Sequence, residues 1–162
     1  MKDDIYTSTT LHYFGFMNMQ CEKWKIAEEY LDQAIQYCQK DSFIYRVVLH
    51  RKILCIAKSR KFVKAKKLLK ETKSIYSACK TFSIYFEALG HYVNVSRRVS
   101  LYNNDSADYI ETIALPHFIE NSNYFLAVEY YKLLEAYNKV KNNKKSLQMS
   151  AEIRKIYERC LF

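Results

Sequence analysis

The stretch LHYFGFMNMQCEKWKIAEEYLDQAIQYC, Leu11–Cys38, has the pattern of two amphipathic helices folded back on each other. Apolar residues recur at helical spacing on both sides of a short polar break at 20–23. Gly15, Ala27 and Ala34 stand where the two backbones would cross, because a larger side chain there would push the helices apart. The stretch therefore predicts a helical hairpin.

The composition of the whole chain favours helices. The chain has 162 residues with 49% hydrophobic content, which is enough to bury a core as one domain. It contains only two glycines and one proline, so tight β-turns would be hard to build, whereas long helices joined by polar loops remain available. We therefore predict an all-α fold that forms a single domain over residues 1–162.

The hairpin pattern recurs along the sequence. Ala65, Ala107 and Ser146 occupy the position that Ala27 has in the opening hairpin. Four helical hairpins are predicted on this basis, at about 8–38, 41–76, 81–120 and 122–160.

Two segments leave alternatives open. The segment FIYRVVL at 43–49 could pass for a strand, although its neighbours favour a helix that Asp41 or Ser42 would cap. Pro116 falls inside the helix expected over 107–120, where it removes a backbone donor and clashes with the preceding turn. A kink, or a division into two shorter helices, is expected there.

The opening hairpin resembles a tetratricopeptide repeat, whose pattern runs W-x2-L-G-x2-Y, then A-x3-F, then a small residue. Phe14-Gly15 stands for L-G, Ala27 for the first alanine, Leu31 for the phenylalanine and Ala34 for the last small residue. The resemblance implies a right-handed α-solenoid of about four TPR-like hairpins, or about eight helices.

The repeats are longer than is usual for this class. The steps from Ala27 to Ala65, Ala107 and Ser146 are 38, 42 and 39 residues (65−27, 107−65, 146−107), against about 34 for the family. Such long-helix arrays resemble the C-terminal sensor domains of Gram-positive peptide-pheromone receptors of the Rap, PlcR and NprR type, most closely over 113–160. The resemblance implies the peptide-sensing part of a bacterial transcriptional or quorum-sensing regulator. Those receptors also carry an N-terminal DNA-binding or effector part, and no such segment is recognised in this sequence.

A stacked array of hairpins would offer a groove for an extended peptide. The first helices of successive hairpins line the concave side of such arrays, where polar side chains satisfy the peptide backbone and aromatic ones pack its side chains. The candidate groove residues are His12, Phe16, Met19, His50, Arg51, Leu54, Tyr92, Ser96, Tyr131, Glu135 and Asn138.

A dense run of cations supports an alternative, nucleic-acid binding. The net charge is +9, and the polar side of the helix predicted after residue 61 carries most of the run, an arrangement that suits phosphate contacts. A solvated outer face is the plainer interpretation. The basic patch consists of Lys58, Arg60, Lys61, Lys64, Lys66, Lys67, Lys70 and Lys73.

The sequence contains no pattern typical of an enzyme or a metal protein. Its four histidines are dispersed, its two glycines stand alone, and no serine lies in a G-x-S-x-G elbow. Cys55 is expected to be a buried apolar thiol. We therefore predict no catalytic residues, no metal and no cofactor.

Cellular location and self-association are also constrained by the sequence. The five cysteines form no CxxC pair, and the polar N-terminus has no apolar signal region. A cytoplasmic protein without membrane contact is expected.

The last helix lacks the polar outer face of a capping helix, which predicts a possible homodimer through Ile153, Ile156, Tyr157, Leu161 and Phe162.

Overall fold

The chain is built from helices. We describe residues 2–40, 42–77, 80–97 and 104–160 of a computed structural model. These residues contain no β-strand, so the all-α prediction is confirmed for them. The helices are α1 (Lys2–Gln20), α2 (Trp24–Gln36), α3 (Phe43–Lys58), α4 (Phe62–Ser77), α5 (Lys80–Arg97), α6 (Asn104–Tyr109), a π-helical segment (Ile110–Ala114), α7 (Leu115–Glu120), α8 (Tyr124–Lys141) and α9 (Asn143–Cys160).

Helices α1 and α2 pack tightly against each other at their small residues. A Cβ placed on Gly15 would lie 2.8 Å from Leu31 Cγ and 3.3 Å from the carbonyl oxygen of Ala27. Ala27 and Ala34 are fully buried on the facing side of α2. The crossing therefore depends on glycine and alanine, as their positions in the sequence indicate.

Helix α3 is enclosed on most of its circumference. Every residue from Ile53 to Ala57 is buried, and α3 packs on α1, α2 and α4. Ser42 caps its first turn by accepting a hydrogen bond from the amide of Tyr45 at 3.1 Å, whereas the alternative cap, Asp41, lies outside the described residues. The strand-like composition of this segment is explained by burial, since a helix surrounded by others is apolar on all sides.

Three turns between helices share one geometry. Glu22, Arg60 and Ser122 adopt left-handed backbone conformations, with φ angles of 57°, 62° and 55°. The amide of the next residue then donates to the carbonyl oxygen five positions earlier, as Lys23 does to Asn18 at 2.9 Å. This is the Schellman arrangement, which satisfies carbonyl groups left over at a helix end. Each turn is thus made without glycine.

Each of these turns is followed, five residues later, by a fully buried alanine. These alanines are Ala27, Ala65 and Ala127. Ala27 and Ala65, which the sequence predicts to be equivalent, therefore each follow a turn of the same backbone geometry. The third copy joins α7 to α8, where the sequence pattern did not place an equivalent position. Ala107 and Ser146 are buried as well.

The proline in the third predicted hairpin coincides with a change of helix type. The π-helical segment Ile110–Ala114 lies between α6 and α7, and Pro116 lies in the first turn of α7. Because proline lacks the amide that would continue the α-helical ladder, a wider turn before it is a local way to keep the chain helical. The expected break is therefore a π-turn between two short helices.

The chain divides into two compact units, Met1–Leu89 and Gly90–Phe162, with the boundary inside α5. In the N-terminal unit, α2 packs against α1 and α3, and Tyr76 stacks on Phe86 with ring centroids 4.9 Å apart. In the C-terminal unit, α8 packs against α7 and α9, and the ring of Tyr130 meets Phe118 at 5.1 Å. Each unit therefore has an aromatic core of its own.

Candidate functional site

A polar cluster lies where α1 meets α3 in the N-terminal unit. His12 and Phe16 are one turn apart on α1, and His50 and Arg51 are consecutive on α3. The Arg51 guanidinium carbon lies 4.4 Å from the centroid of the Phe16 ring. The His50 ring meets Tyr85 of α5 edge to face, with centroids 6.4 Å apart. We call His12, Phe16, His50 and Arg51 the α1–α3 cluster.

Burial dominates the electrostatics of this cluster. Burial, and after it the charge of Arg51, lowers the pKa of His12 to about 4 and that of His50 to about 3. Burial likewise lowers the pKa of Arg51 to about 10, although Tyr13 partly opposes this shift. Both imidazoles are therefore neutral near pH 7, while Arg51 keeps its charge.

The two imidazoles have unsatisfied hydrogen-bonding capacity. His12 is 9% exposed and His50 is 6% exposed, and the Nε2 atom of each is buried without a hydrogen-bond partner in the described structure. Buried polar atoms are satisfied in the great majority of cases, and each exception calls for an explanation. The Nε2 atoms of His12 and His50 are two such exceptions in the described part of the chain.

A cleft of about 530 Å³ opens along the first half of α1, in the same unit. It is lined by the first half of α1, the end of α2 and the start of α3, and Ile5 and Tyr37 leave about half of their surface exposed there. Ser8 lines the cleft, 2.9 Å from Cys38 Sγ, and lies one helical turn before His12. A cleft with both polar and apolar lining residues is thus followed along α1 by the polar residue His12, and ligand sites commonly combine the two kinds of surface.

Four predicted groove residues, His12, Phe16, His50 and Arg51, are brought together in this way. Met19 and Leu54 instead belong to the core, with exposed fractions of 2% and 0%. Their place in the groove list is therefore corrected: they support the neighbouring helices and offer almost no surface to a ligand. The reason is that both helices are covered on more sides than one hairpin alone would imply.

The remaining groove candidates lie in the C-terminal unit, and several are engaged within it. Tyr92 is buried against Tyr130 and hydrogen-bonded to Ser96. The amide of Asn138 donates to the carbonyl oxygen of Leu134 at 2.8 Å. Glu135 is half-buried, and its carboxylate accepts a hydrogen bond from the Ser150 hydroxyl.

Tyr131 is 9% exposed on the same helix, and burial raises its pKa. The accessible candidates in this unit are therefore chiefly Ser96 and Glu135, both half-buried.

The basic patch is partly neutralised by an acid distant in sequence. Glu28 of α2 is buried, and its carboxylate accepts hydrogen bonds from Lys64 and, at 2.8 Å, from Lys61. Burial opposes ionisation of Glu28, but the two lysines outweigh it and lower its pKa. Lys67 pairs with Glu71 at 3.9 Å on the surface of α4.

Other cations of the patch remain on the surface. Lys58 lies over the Trp24 ring, with Nζ 5.4 Å from its centroid. Lys66, Lys70 and Lys73 are exposed and spaced to share one face of α4. The patch therefore presents a narrower cationic stripe than the run of charges in the sequence implies.

Two features of the site were missed from the sequence. Tyr85 contacts His50 from a helix about 35 residues away, and the Glu28 carboxylate meets lysines 33 and 36 residues away. No local pattern signals such partners. The sequence shows only that Glu28 adjoins Ala27 in α2, which does not identify its lysine partners.

Other kinds of site find little support in the described part of the chain. No group of three or more His, Cys, Asp or Glu side chains there is placed to hold a metal ion. Among the same residues, no helix combines the length and apolar character needed to cross a membrane. Burial raises the pKa of the Cys55 thiol to about 11, and its Sγ points to the Trp24 carbonyl oxygen at 3.6 Å, as a buried apolar thiol would.

The residues proposed for self-association are divided in their exposure. Ile156 is buried, Ile153 is half-buried and Tyr157 is half exposed on α9, while Leu161 and Phe162 lie outside the described residues. Leu147, 63% exposed on the same helix, adds apolar surface. Dimerisation through α9 stays a prediction.

The fold and site define the class of protein: the described residues form an all-α chain with a polar cluster and a cleft of polar and apolar lining in its N-terminal unit. No protein-family model, curated protein or solved structure matches this chain.

Proposed function

We propose that this chain is a non-enzymatic module that binds a peptide or an extended protein segment, within a TPR-like array of helical hairpins. The observation that carries the proposal is the cleft along the first half of α1, which has both polar and apolar lining residues and ends one helical turn before His12 of the α1–α3 cluster. An extended peptide needs both elements, because its side chains require apolar contact and its polar groups require hydrogen bonds.

The setting we propose is the cytoplasmic sensing part of a bacterial transcriptional or signalling regulator of the peptide-pheromone type. Long helices and degenerate repeats support this setting. A peptide that contacts several helices would stabilise the arrangement of helices in which all of those contacts are made. This stabilisation cannot exceed the difference between the peptide's binding free energies to that arrangement and to the alternative one.

Thermal unfolding in the presence of pooled short synthetic peptides tests the proposal. Peptides that bind raise the unfolding temperature, because they bind the folded chain and not the unfolded one. The substitution Ile5→Ser removes an apolar wall of the cleft and should abolish the shift, whereas Tyr6→Ser, at an exposed neighbour that does not line the cleft, should preserve it. If no pool stabilises the chain, or if both variants respond alike, the proposal is wrong.

Nucleic-acid binding is the second candidate, favoured by the exposed lysines of α4. Lys66, Lys70 and Lys73 lie on one face of α4, and the helical rise spaces them about 6 Å and about 4.5 Å apart along the axis. A row of cations can neutralise several phosphates of a nucleic acid.

Fluorescence anisotropy with mixed single- and double-stranded oligonucleotides at increasing salt tests this alternative. Replacing the three lysines by glutamine should weaken binding and flatten its salt dependence. Replacing the exposed Lys23, Lys25 and Lys40 by glutamine removes the same charge elsewhere and serves as control. Undetectable binding at low salt, or equal losses in both triple variants, would dismiss the candidate.

A further inference from the structure

We propose that the outer face of α1 is a self-association surface, on which α1 of a second copy of this chain packs antiparallel. The face consists of Tyr6, Thr10, Tyr13 and Met17, which we call the outer stripe. The inference goes beyond the proposed function, because no residue of the stripe lines the cleft. It also places a dimer contact on a different helix from the one that the sequence predicts, α9.

The outer stripe is mostly apolar and exposed. Tyr6 is 72% exposed, Tyr13 is 59% exposed and Met17 is 58% exposed. Thr10, which lies between them, is exposed as well. Tyr13 and Met17 each lie two positions from Gly15, which is about 160° around a helix of 3.6 residues per turn. Because Gly15 packs against α2, the stripe lies on the side of α1 that faces away from α2.

The spacing of the stripe indicates that its partner is a helix. Its members follow one another at steps of four, three and four residues, which is the spacing along the contact line of helices that pack lengthwise. The stripe runs about 16 Å along the helix axis, or about three turns. A second helix laid along it would place its own side chains between these residues, as knobs into holes.

The absence of charge on α1 favours a second copy as the partner. Residues 5–20 contain no Asp, Glu, Lys or Arg, although 27% of the whole chain is charged and its net charge is +9. In a two-fold contact the same surface is used by both copies, so charges near the axis would meet like charges. Arg51 of α3 interacts electrostatically with Tyr13, but it lies to the side of the stripe, over the Phe16 ring. The stripe itself therefore avoids this repulsion.

The order of the stripe residues fits an antiparallel pair. The steps of four, three and four read the same in both directions, so two antiparallel copies bring the four positions into register. Thr10 of one copy then lies opposite Tyr13 of the other, so a small side chain meets a large one. Tyr6 lies opposite Met17, and a thioether makes favourable contacts with an aromatic ring. A parallel pair would place each residue against its twin and lose this matching.

The size of the stripe predicts a weak dimer. Since an aromatic side chain has about 150–250 Å² of surface, the exposed parts of Tyr6 and Tyr13, together with Met17, supply on the order of 400 Å² per copy. Stable interfaces bury about 800 Å² per partner. Monomer and dimer should therefore coexist at micromolar to millimolar concentrations of the chain.

Sedimentation velocity on the full chain, from about 1 μM to about 1 mM, tests the inference. We expect the weight-average mass to rise with concentration from 19.4 kDa toward twice that value. Met17→Lys places an unpaired charge in the contact and should weaken association by about tenfold or more. Circular dichroism checks that the helices of the variant remain, since Met17 is exposed and outside the core. A mass that stays at the monomer value throughout overturns the inference and leaves the stripe to a helix of another protein.

A pair of opposite charges tests the antiparallel register. Tyr6→Glu and Met17→Lys each introduce one charge, and the two positions of one chain lie about 16 Å apart along α1. In the antiparallel dimer the introduced carboxylate of each copy faces the introduced ammonium of the other. The double variant should therefore regain association that either single variant loses, and high salt should weaken this association. A double variant that associates no better than the single variants overturns the antiparallel pairing.

Two further variants separate the outer stripe from other surfaces. Val63 is 87% exposed on α4, so Val63→Lys adds the same charge outside the stripe and should leave association intact. Leu147 is 63% exposed on α9, and Leu147→Lys tests the dimer predicted from the sequence. Association that is lost in Leu147→Lys and kept in Met17→Lys places the contact on α9 and overturns the inference. Equal losses in Met17→Lys and Val63→Lys also overturn it, because they report the net charge alone.

Discussion

Gly15 and Gly90 occupy helices in opposite environments, and alanine at each position should have opposite effects. The Cβ of Ala at position 15 would meet Leu31, which is fully buried, whereas nothing lies within 4 Å of a Cβ at position 90. We expect Gly15→Ala to destabilise the chain by about 1–2 kcal/mol, since overpacking outweighs the gain in helix propensity. Gly90→Ala should stabilise it by up to about 1 kcal/mol. Urea unfolding of both variants measures the difference, and a stabilised Gly15→Ala would contradict the packing.

The buried histidines should make stability depend on pH. The pKa of His12 is about 4 in the folded chain, below its ordinary value of 6.5, so the unfolded chain binds the proton first as pH falls. Stability is therefore complete above pH 6.5 and declines toward pH 4, by about 3 kcal/mol for this residue. His50 acts in the same direction.

Unfolding free energies measured between neutral pH and pH about 4 should show this decline, and His12→Leu should make it shallower. An unchanged slope in the variant would mean that His12 is not buried as a neutral imidazole.

At the scale of the element, the three Schellman turns store strain that glycine would relieve. Glu22 is exposed and holds a left-handed backbone conformation, which costs an L-residue about 1–2 kcal/mol. We expect Glu22→Gly to stabilise the chain by about 0.5–1 kcal/mol. The adjacent Lys23, with φ of −83°, gains nothing from glycine and is the control. Thermal unfolding that ranks the two variants the other way would contradict the turn geometry.

Glu28 links α2 to the start of α4 through its ion pairs, so replacing it should weaken the packing between these two helices. The carboxylate is 7% exposed and accepts from Lys61 and Lys64. Glu28→Gln should destabilise the chain by about 1–3 kcal/mol, because a buried group loses charge-assisted partners. The exposed neighbour Glu29 provides the control, since Glu29→Gln should stay within about 0.5 kcal/mol. Equal effects in chemical denaturation would show that the carboxylate is solvated.

At the scale of the whole molecule, the division into two compact units predicts local responses to core cavities. Leu54 in the N-terminal unit and Leu134 in the C-terminal unit are both fully buried. Truncation of either to alanine should cost about 2–5 kcal/mol. Amide hydrogen exchange should accelerate first in the unit that carries the cavity, because each unit is compact in itself. A uniform acceleration over both units would show a single cooperative core.

The periodicity and the composition of the sequence were sufficient to predict that this fold is built from helices. The scarcity of glycine and proline excluded most alternatives to helices, and the small residues Gly15, Ala27 and Ala65 marked positions that are closely packed or buried in the structure. These properties are local: helical spacing places residues three and four apart on one face whatever the rest of the chain does.

Tertiary structure alone decided which polar side chains are satisfied. The sequence placed His12, Phe16, His50 and Arg51 on two separate helices, and only their packing buried two imidazoles without partners beside a stacked guanidinium. It likewise paired Glu28 with lysines of α4 and enclosed Leu54 in the core. Burial and long-range pairing depend on which helices cover one another, and no single helix carries that information.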